Sequence, residues 1–528
     1  MDRSLSQTLD FELAWKRTQA DVPHHGFVRH PFEAELIGTD LTNWLSAMQT
    51  EIQTGNFRLG SHLLVNALKP NGAIRPGSYL RPRDSTVYSA LIGAALPHIQ
   101  AALAWAQDTV DFSYRLSENH RETRWIRDTM RGWRRFETET LRHLDEGDFT
   151  HVLFTDVTGY YENVSLEILA SDLRQLGVPD NVVVALSGML NRWAQSPARS
   201  IPQGHSASDI LGKVYLNPVD ESLRNRGSTH VRYVDDFRIF ARSENDAKHQ
   251  LLLLAQDLRQ RGLSLQTAKT EILDVDVARQ KIEELTRLIR EIRHQFVERA
   301  KELFLVSEYP PLYEIEGLIS GSDNINDTPI VVIREAFDRH YIHNYAQTKF
   351  NKSLFHFLIN RLRHVGDSHA AERCFELLSL QPQETSNILA YLKQTTGIPH
   401  WDDRISGFFN SVNAIYNYQI YQILEWRYCD DTKLADGLIA NCRTFAFDNN
   451  RPGYLRSFAR ALLARNASIA DLERFMQTYP TASSDLEQAE LLCCLASLET
   501  QRRNSFVSRV RGDNHLNELA RNQLRTQP

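Results

Sequence analysis

The sequence has 528 residues, of which 42% are hydrophobic and 24% charged, and its formal net charge is −6. This composition is that of an ordinary soluble globular protein, and the length suits two to four domains. The small negative charge excludes a globally basic nucleic-acid binder, so any surface for nucleic acid must be local.

The cysteines and the apolar runs bear on the cellular compartment. All five cysteines lie in the last third of the chain and form no CxxC pair, which predicts reduced, mostly buried thiols. They are Cys374, Cys429, Cys442, Cys493 and Cys494. The N-terminus, MDRSLSQTLDFELAW, lacks the apolar core of a signal peptide, and no run of eighteen apolar residues occurs. We therefore expect a cytoplasmic protein without a membrane span.

The N-terminal part of the chain is predicted to be helical, with one hairpin. Residues 1–57 are expected to form a helical extension, in which residues 10–16 begin an amphipathic helix. A turn at Pro70-Asn71-Gly72 separates two apolar stretches, which is the pattern of a hairpin. Helical patterning then runs from Val87 to Leu144.

Strands and helices alternate in the next segment. The predicted elements are a strand at 150–156, a helix at 166–176, a turn after Pro202 that leads into a helix through Leu223, a hairpin within 229–242, a helix at 245–261 and an extended stretch at 263–273. An acidic pair stands between the two β-rich arms of the hairpin. The alternation predicts an α/β or α+β catalytic domain over residues 58–275.

Beyond residue 275 the pattern becomes helical. Apolar residues at three-four spacing form one narrow stripe on a long helix, which packs either within the chain or against another subunit. They are Ile282, Leu285, Ile289, Ile292 and Phe296. Residues 276–329 are expected to form this helix and a linker. Residues 330–528 are expected to form an α-helical domain, with stacked helix pairs as a suggestion because no clean sequence period is found.

Two acidic pairs of the same outline occur, in different surroundings. Asp235-Asp236 stands in YVDD at a predicted hairpin turn, where a divalent cation would compensate the repulsion between adjacent carboxylates. Asp430-Asp431 stands in YCDD within a helical region, and no β-rich arm follows it. The second pair is therefore predicted to be a loop or helix N-terminal feature and not a catalytic one.

The first pair belongs to an ordered set of motifs. Asp156 ends an apolar strand and is followed by the aromatic residue Tyr161. A PQG turn with a helix comes next, then the YVDD hairpin, and then Lys269-Thr270. Each element is common by itself, but chance does not account for the whole set in this order within one short stretch.

This ordered set resembles the palm domain of reverse transcriptases, over roughly residues 58–275. The stretches that carry the resemblance are FTDVTGYY (154–161), SIPQGHSASDILGKVYLNPVD (200–220), RYVDDF (232–237) and LSLQTAKTEI (263–272), with RPGSYLRPRDSTVYSAL (75–91) resembling the preceding fingers motif. The resemblance implies an α+β right-hand polymerase fold of palm and fingers, here followed by an all-α, repeat-like C-terminal domain. It also implies an RNA-directed DNA polymerase, which is a nucleotidyltransferase.

Features around these motifs resemble prokaryotic defence-associated and abortive-infection reverse transcriptases of the unknown-group class. They are the Arg before and the FRIF after the acidic pair, AWKR (14–17), VRHPFE (28–33) and the helical C-terminal domain. Members of that group are implicated in phage defence. Some polymerise without a supplied template, some prime from a protein hydroxyl, and some depend on a partner RNA. His205-Ser206 replaces the proline-leucine pair that is more frequent in intron-encoded and retron enzymes.

The resemblance assigns roles to single residues. Asp156, Asp235 and Asp236 would hold two Mg²⁺ ions, with Mn²⁺ as the alternative metal. Tyr161 would stack under the sugar and exclude a 2′-hydroxyl, unless it is a core aromatic. The other nucleotide-binding candidates are Gln203 and Gly204 on the pocket floor, Arg75 and Arg83 on the triphosphate, and Lys269 on the leaving pyrophosphate. For these three cations the alternative is a solvated surface charge.

Two basic segments are candidates for nucleic-acid binding. Arg124, Arg127, Arg131 and Arg134 recur at three-four spacing and are predicted to share one helix face. That face is either a track for a nucleic-acid backbone or a solvated surface beside buried tryptophans. The tail from Gln501 carries a second basic excess, which either grips nucleic acid or frays.

Two functions of different class follow. The first is a magnesium-dependent DNA polymerase of the reverse-transcriptase type in antiviral defence, whose nucleophile is a primer 3′-hydroxyl or a tyrosine hydroxyl of the protein. The second is a scaffold that binds RNA or a phage protein, with polymerisation incidental. The expected partners are dNTPs and RNA or single-stranded DNA, with a dedicated non-coding RNA as one option. The expected assembly is a homo-oligomer.

Overall fold

The structure, a computed structural model, describes residues 1–21, 27–60, 62–69, 72–127, 129–196, 198–304, 324–343, 350–510 and 514–526, without the side chains of 129–130, 297 and 299–304. The predicted turn residues Pro70 and Asn71 therefore lie outside the described residues. The chain divides into two compact units. The first comprises Met1–Arg29, Glu33–Val65 and Pro76–Ile282, and the second comprises His30–Phe32, Asn66–Arg75 and Glu283–Pro528.

Helices and a two-stranded sheet form the N-terminal part. The elements are α1 (Leu5–Thr8), α2 (Phe11–Asp21), α3 (Glu33–Thr39), α4 (Leu41–Thr54), β1 (Leu63–Leu68), β2 (Ile74–Tyr79) and α5 (Pro82–Leu103). Strands β1 and β2 pair with each other, as the sequence predicts for a hairpin. Helix α5 begins with proline at its first position, where the missing N–H would be unsatisfied in any residue.

The predicted helical run from Val87 to Leu144 is interrupted. Helix α5 ends at Leu103 and helix α6 spans Thr129–Asp145. Between them, β3 (Arg115–Leu116) pairs antiparallel with β4 (Ile126–Arg127). Strands of two residues leave no periodic signal in a sequence, and tertiary contacts fix this hairpin instead. The ring of Trp125 is buried, and the Arg17 guanidinium lies 4.4 Å from its centroid.

A four-stranded antiparallel sheet is the centre of the first unit. The remaining elements of the unit are β5 (His151–Asp156), α7 (Tyr160–Asn163), α8 (Leu166–Gln175), α9 (Asp180–Trp193), α10 (Ser206–Asn225), β6 (Thr229–Tyr233), β7 (Asp236–Ala241), α11 (Glu244–Gln260), β8 (Glu271–Asp274) and α12 (Val275–Ile282). The strand order is β6-β7-β5-β8. The first strand of the segment is therefore internal, which explains why HVLFTD is almost wholly buried.

One face of the sheet carries both the apolar core and, at its end, an acidic residue. Alternate residues of β5, Val152 and Phe154, belong to a core that includes Phe136 of α6. Asp156 continues this alternation, so it lies on the same face at the end of the strand. The apolar core thus ends at an acidic rim.

From Glu283 onward, the described residues of the second unit form helices and their connections, without a strand. Its α-helices are α13 (Glu284–Phe304), α14 (Ile330–Phe337), α15 (Lys352–His364), α16 (Ala371–Leu380), α17 (Thr385–Thr395), α18 (Asp402–Phe409), α19 (Asn417–Tyr428), α20 (Asp436–Phe447), α21 (Gly453–Arg465), α22 (Ile469–Thr478), α23 (Asp485–Cys493), α24 (Thr500–Arg509) and α25 (His515–Thr526). A π-helix, Asp338–His343, continues α14.

A repeat that the sequence does not show emerges from these helices. Every second helix from α15 to α25 packs on the next of the same series, and successive members begin 30 to 36 residues apart. Polar side chains of α19 link it to α17: Gln419 donates to the Thr385 hydroxyl at 2.9 Å, and Trp426 donates to the Leu389 carbonyl at 2.7 Å. The C-terminal unit is therefore a stack of helix pairs.

The apolar stripe of α13 packs partly within its own unit. Ile289 and Ile292 are buried, and a shallow pocket of about 190 Å³ is lined by Ile292, Phe296 and residues of α14. The intrachain alternative thus accounts for the middle of the stripe.

Two smaller expectations concern α5 and the cysteines. Within the described residues, α5 alone is long and apolar enough to cross a membrane, and 61% of its apolar window is buried inside the protein. A core helix meets the same criteria. All five cysteines are free thiols, and Cys374, Cys442 and Cys494 are buried.

Candidate active site

The three predicted carboxylates meet at one end of the central sheet. Asp156 of β5 and Asp236 of β7 are paired residues of the antiparallel ladder, and Asp236 also pairs with Tyr233 of β6. Directly paired residues of antiparallel strands point to the same face with their Cβ atoms about 5 Å apart. One row across three strands therefore reads Tyr233, Asp236, Asp156.

Lys269 adds a positive charge beside this row. Strand β8 pairs with β5 as far as Phe154 and Glu271, and Lys269 ends a short 3-10 helix, Thr267–Lys269, that precedes β8. The Lys269 ammonium group forms an ion pair with the Asp156 carboxylate, and the Asp156 carbonyl accepts from the Gln266 amide at 2.7 Å. The structure thus brings Lys269 to the acidic residues, while 62% of its side chain stays exposed, and its predicted role at the leaving pyrophosphate stays a prediction.

The third carboxylate, Asp235, sits in a tight turn. Val234 and Asp235 alone connect β6 to β7, and Val234 has a positive φ of 57°. Two-residue hairpin turns require such backbone angles, which glycine and asparagine adopt easily and a β-branched residue does not. A strained backbone at this position persists only when its surroundings fix it.

Burial and mutual repulsion raise the pKa values of two carboxyl groups in the site. Burial, together with Asp156 and Asp236, raises the pKa of Asp235 to about 7. Burial and Asp156 raise the pKa of Asp236 to about 6. Burial alone would lower the pKa of Lys269, but its bond to Asp156 outweighs this and raises it. A nearby cation is therefore favoured, because it stabilises the ionised carboxylates.

The donor set fits a hard divalent cation by its chemistry. Three carboxylates supply the oxygen ligands that Mg²⁺ prefers, and the raised pKa values of Asp235 and Asp236 indicate that these two lack full compensation by positive charge. These side chains are not arranged as a complete coordination shell. The described residues include no group of three or more His, Cys, Asp or Glu side chains placed to hold a metal ion.

The second acidic pair supplies a contrast inside the same chain. Asp430 and Asp431 lie in the loop between α19 and α20, so the helix N-terminal alternative is wrong and the loop alternative is confirmed. Asp430 accepts the Thr432 amide at 2.9 Å, and its hydrogen bonds to Thr432 lower its pKa. Asp431 is 91% exposed. The same four-residue outline thus gives opposite electrostatics in the two places.

The predicted sugar-contacting residue, Tyr161, is buried next to the acidic site. It lies in α7, its carbonyl accepts from the Ile201 amide at 3.0 Å, and its hydroxyl donates to Asp209 at 2.6 Å. Burial and Asp209 raise the pKa of Tyr161 well above its ordinary value. Tyr161 is therefore tied both to the chain before the PQG turn and to the helix after it.

The PQG turn is docked on strand β2. The Gln203 carbonyl accepts from the Ser78 amide at 2.9 Å, and the His205 ring lies 3.2 Å from the Ser78 carbonyl. Gly204 has a φ of 98°, a conformation in which any side chain would be strained. Glycine is thus required here by the backbone.

The two fingers arginines occupy different settings. Arg75 lies on β2 and is exposed. Arg83 lies in the first turn of α5, forms an ion pair with Glu51, and its guanidinium stands 4.6 Å from the Phe57 ring centroid. Arg83 is held by residues of the N-terminal helices, so its predicted contact with a triphosphate stays a prediction.

The predicted arginine face on a single helix is wrong. Arg131 and Arg134 lie in α6, but Arg127 lies in β4 and Arg124 precedes it. Helix α6 begins only after the β3–β4 pairing ends, so the three-four spacing does not correspond to one helical surface. Arg127 forms an ion pair with Glu122 at 2.6 Å. A role for these residues in binding nucleic acid stays a prediction.

A buried charge cluster behind the YVDD turn was missed by the sequence analysis. It consists of Asp111, Lys213, Asp220 and Arg232. Arg232 donates to Asp220 at 2.6 Å and to Asp111 at 2.9 Å, and Lys213 donates to Asp111 at 2.7 Å. Burial opposes ionisation of Asp111, but Arg232 and Lys213 lower its pKa to about 2. The sequence did contain one indication of this cluster. Lys213 and Asp220 stand seven residues apart, two helical turns, and both are buried residues of α10.

Comparison with known proteins agrees with this geometry. Residues 68–293 match the family described as reverse transcriptase (RNA-dependent DNA polymerase). No curated protein matches the sequence. Among solved structures the chain is similar to telomerase from Candida albicans in complex with a fragment of telomeric RNA, at 12% identity over 73% of this chain and 69% of that chain, with a TM-score of 0.32. It is also similar to apo telomerase from Candida tropicalis, at 11% identity over 87% and 74%, with a TM-score of 0.31.

The family match coincides with the elements that build the acidic site. It includes Asp156, Asp235, Asp236 and Lys269, and the four-stranded sheet lies wholly within it. The predicted class, a palm and fingers followed by a helical domain, is confirmed. TM-scores as low as those above add nothing to this. The chain thus contains a reverse transcriptase domain, the nucleotidyltransferase domain of RNA-directed DNA polymerases, with its acidic site at the end of the central sheet.

Proposed function

We propose that the chain is a reverse-transcriptase-type DNA polymerase that adds dNTPs by phosphoryl transfer assisted by two divalent metal ions. The observation that carries the proposal is the cross-strand pairing of Asp156 with Asp236, beside Asp235 in the turn. Asp156, Asp235 and Asp236 would hold the ions, Mg²⁺ or Mn²⁺. When bound, such ions activate an attacking hydroxyl and neutralise the charge on the leaving pyrophosphate.

The chain's own residues would orient the substrates around this site. The ammonium group of Lys269 lies at the outer edge of the carboxylate row and is exposed enough to reach a phosphate oxygen. Tyr161 would lie under the sugar, while Gln203 and Gly204 would form the pocket floor. Arg75 and Arg83 would meet the triphosphate, where a guanidinium fork suits phosphate oxygens.

We further propose a role in antiphage defence. Its support is the resemblance of the motif surroundings to defence-associated reverse transcriptases. The nucleophile would be a primer 3′-hydroxyl or a tyrosine hydroxyl of the protein, and synthesis would be templated or template-independent. The partners would be RNA or single-stranded DNA, including a dedicated non-coding RNA, and the assembly a homo-oligomer.

The second acidic pair provides a matched control for the test. The Asp235→Asn/Asp236→Asn variant should abolish incorporation of labelled dNTPs and protection against phage. The Asp430→Asn/Asp431→Asn variant makes the same chemical change outside the reverse transcriptase domain and should retain both. Unchanged protection by the first variant would refute the polymerase proposal and favour the scaffold alternative.

The product identifies the mode of synthesis. Purified protein is incubated with each labelled dNTP, with and without an added template, and then denatured. Label that stays with the protein indicates a tyrosine primer. Free DNA complementary to the template indicates ordinary copying, and DNA made without template indicates template-independent synthesis.

A further inference from the structure

Asp209 is a buried carboxyl group to which no role has been given so far. It lies in the first turn of α10, five residues after Gly204, and only 5% of it is exposed. Its carboxyl oxygen accepts the Tyr161 hydroxyl at 2.6 Å. The Tyr114 hydroxyl is hydrogen-bonded to both Asp209 and Tyr161. Two hydroxyl groups from distant parts of the chain thus converge on one carboxyl group.

The surroundings of this trio leave its members little freedom. The Tyr161 carbonyl is bonded to the Ile201 amide, so backbone and side chain of Tyr161 are both anchored. A Cβ atom added at Gly212 would lie 3.7 Å from the Tyr161 hydroxyl and 3.4 Å from the Tyr160 ring. Both tyrosines therefore pack against this part of α10, and the Tyr160 hydroxyl donates to the Gly212 carbonyl. Buried networks in which every member is bonded are rigid.

Tyr114 is held from its other side as well. It has a positive φ of 38°, which is strained for a residue with a side chain. The preceding residue, Ser113, accepts Lys213 through its carbonyl at 2.6 Å, and its hydroxyl is bonded to Asp111 at 2.5 Å. The buried charge cluster behind the catalytic turn thus presents Tyr114 to Asp209.

The trio lies within electrostatic reach of the catalytic carboxylates. Asp235 contributes to the raised pKa of both Tyr114 and Tyr160, after burial as the main cause. Burial raises the pKa of Asp209 itself to about 7, so both of its protonation states are populated near neutral pH. A protonated carboxyl group still accepts a hydroxyl through its carbonyl oxygen.

We propose that Asp209 is a positioning residue for sugar selectivity, which holds the Tyr161 hydroxyl and thereby fixes the ring that excludes a ribonucleotide's 2′-hydroxyl. This inference rests on the proposed function, because Tyr161 discriminates sugars only in a nucleotide site. An aromatic ring excludes one extra oxygen atom only if it cannot move aside, and Asp209 supplies that constraint. Asp209 acts through Tyr161 and need not touch the nucleotide.

The test compares deoxyribonucleotide and ribonucleotide use in the full-length protein. The ratio of kcat/KM for dATP to that for ATP should fall at least about tenfold in Asp209→Ala, the scale on which pocket shape discriminates small groups. Asp209→Asn keeps an acceptor oxygen and should retain the ratio within about threefold. A merely structural loss would lower incorporation of both nucleotides equally and leave the ratio unchanged, which would overturn the inference.

A second variant guards against misfolding of Asp209→Ala. Tyr161→Phe removes only the tethered hydroxyl and should lower the ratio by a similar factor. In the double variant Asp209→Ala/Tyr161→Phe the ratio should fall no further, because both changes break the same bond. If the double variant lowered the ratio by the product of the two single-variant factors, the changes would act independently and the proposal would be contradicted.

Binding separates this inference from the polymerase proposal. Equilibrium dialysis with labelled dATP and ATP reports sugar preference without any turnover. If the wild-type protein binds dATP in preference to ATP but incorporates neither, the proposed function fails, and loss of the preference in Asp209→Ala still supports the role of Asp209. If the wild-type protein incorporates dATP and Asp209→Ala keeps its preference, the inference fails alone.

Discussion

The guanidinium group of Arg232 donates a hydrogen bond to the carbonyl oxygen of Val234 at 2.7 Å. Val234 is the turn residue with positive φ that precedes Asp235. Arg232 is itself only 2% exposed and is anchored by Asp220 and Asp111. Burial alone would lower the pKa of Arg232, but these two carboxylates raise it. The strained turn that carries Asp235, a proposed metal-binding carboxylate, is thus fixed from inside the protein.

Arg232→Lys should lower incorporation more than tenfold while the chain stays folded. Lysine keeps the charge but cannot reach two carboxylates and a carbonyl with one flat group of donors. Arg427 offers a matched control, because it is equally buried, binds Asp402 at 2.7 Å and donates to the Asp430 carbonyl at 3.2 Å. Both lysine variants should lower the melting temperature, but only Arg232→Lys should lower kcat of the folded protein. Equal kcat values would refute the positioning role.

Lys269→Met should increase the stabilisation that Mg²⁺ confers. Without the ammonium group, the carboxylates of Asp156 and its neighbours repel each other uncompensated, so a bound cation gains more. The measurement is the difference in melting temperature between EDTA and millimolar Mg²⁺. Lys281→Met removes the partner of Glu271, the first residue of β8, and should leave the difference at the wild-type value because Lys281 pairs with none of the three carboxylates. A smaller Mg²⁺ effect in Lys269→Met would contradict this account.

Asp209 should make the stability of the protein fall as pH rises. Its pKa in the folded protein is about 7, above the ordinary value of 3.8, so the folded state holds this proton more tightly than the unfolded state does. The contribution is therefore most favourable below about pH 4 and is lost as pH rises to about 7. The loss is of the order of 4 kcal/mol at most, from a shift of about three units. Asp209→Asn cannot ionise and should gain stability relative to wild type between pH 5 and pH 8 in chemical denaturation.

Asp430→Asn is the control of opposite sign for that experiment. Hydrogen bonds to Thr432 lower the pKa of Asp430, so this group stabilises the folded state above its ordinary pKa and stops doing so in acid. Relative to wild type, Asp430→Asn should therefore be less stable at neutral pH and should regain parity as pH falls. If stability changed with pH in the same direction in both variants, the raised pKa of Asp209 and its origin in burial would be contradicted.

Gly204→Ala should raise KM for dNTPs in addition to lowering the stability of the protein. At a φ of 98°, alanine is strained, and left-handed conformations cost about 1 to 2 kcal/mol. Gly227→Ala carries a similar cost at a φ of 76°, with open space around it. Both variants should melt at lower temperature, whereas only Gly204→Ala should raise KM for dNTPs. An unchanged KM would place the PQG turn outside the nucleotide site.

The strands and helices of the palm could be predicted because their patterns are local. The predicted strand at 150–156 is found at His151–Asp156, and the predicted helix at 245–261 is found at Glu244–Gln260. Hydrophobic periodicity and the acidic turn suffice for elements of this length. The short β3–β4 hairpin is too short to show a hydrophobic period, so the same reasoning assigned a helix there, and its contact with Arg17 is not visible in the local sequence.

Residues of the candidate site could be predicted only where a recognisable sequence motif contains them. Asp156, Asp235 and Asp236 were found from type and order, and the structure brings them to one end of the sheet. Asp209 and Arg232 were not assigned roles, because a charged residue in a helix or strand is ordinarily solvated. Both are buried against partners far away in sequence, Tyr161 at 48 residues from Asp209 and Asp111 at 121 residues from Arg232, and no local pattern encodes such partners.

The pairing of Asp156 with Asp236 also limits where the chain can change length. Inserting or deleting one residue inside β5 or β7 would turn one carboxylate to the opposite face of the sheet. The segment from α7 to α10 crosses no strand ladder, so extra residues between those helices leave the register untouched. The motifs of this enzyme could therefore lie further apart along a related chain and still form the same site, provided that each strand kept its own count of residues.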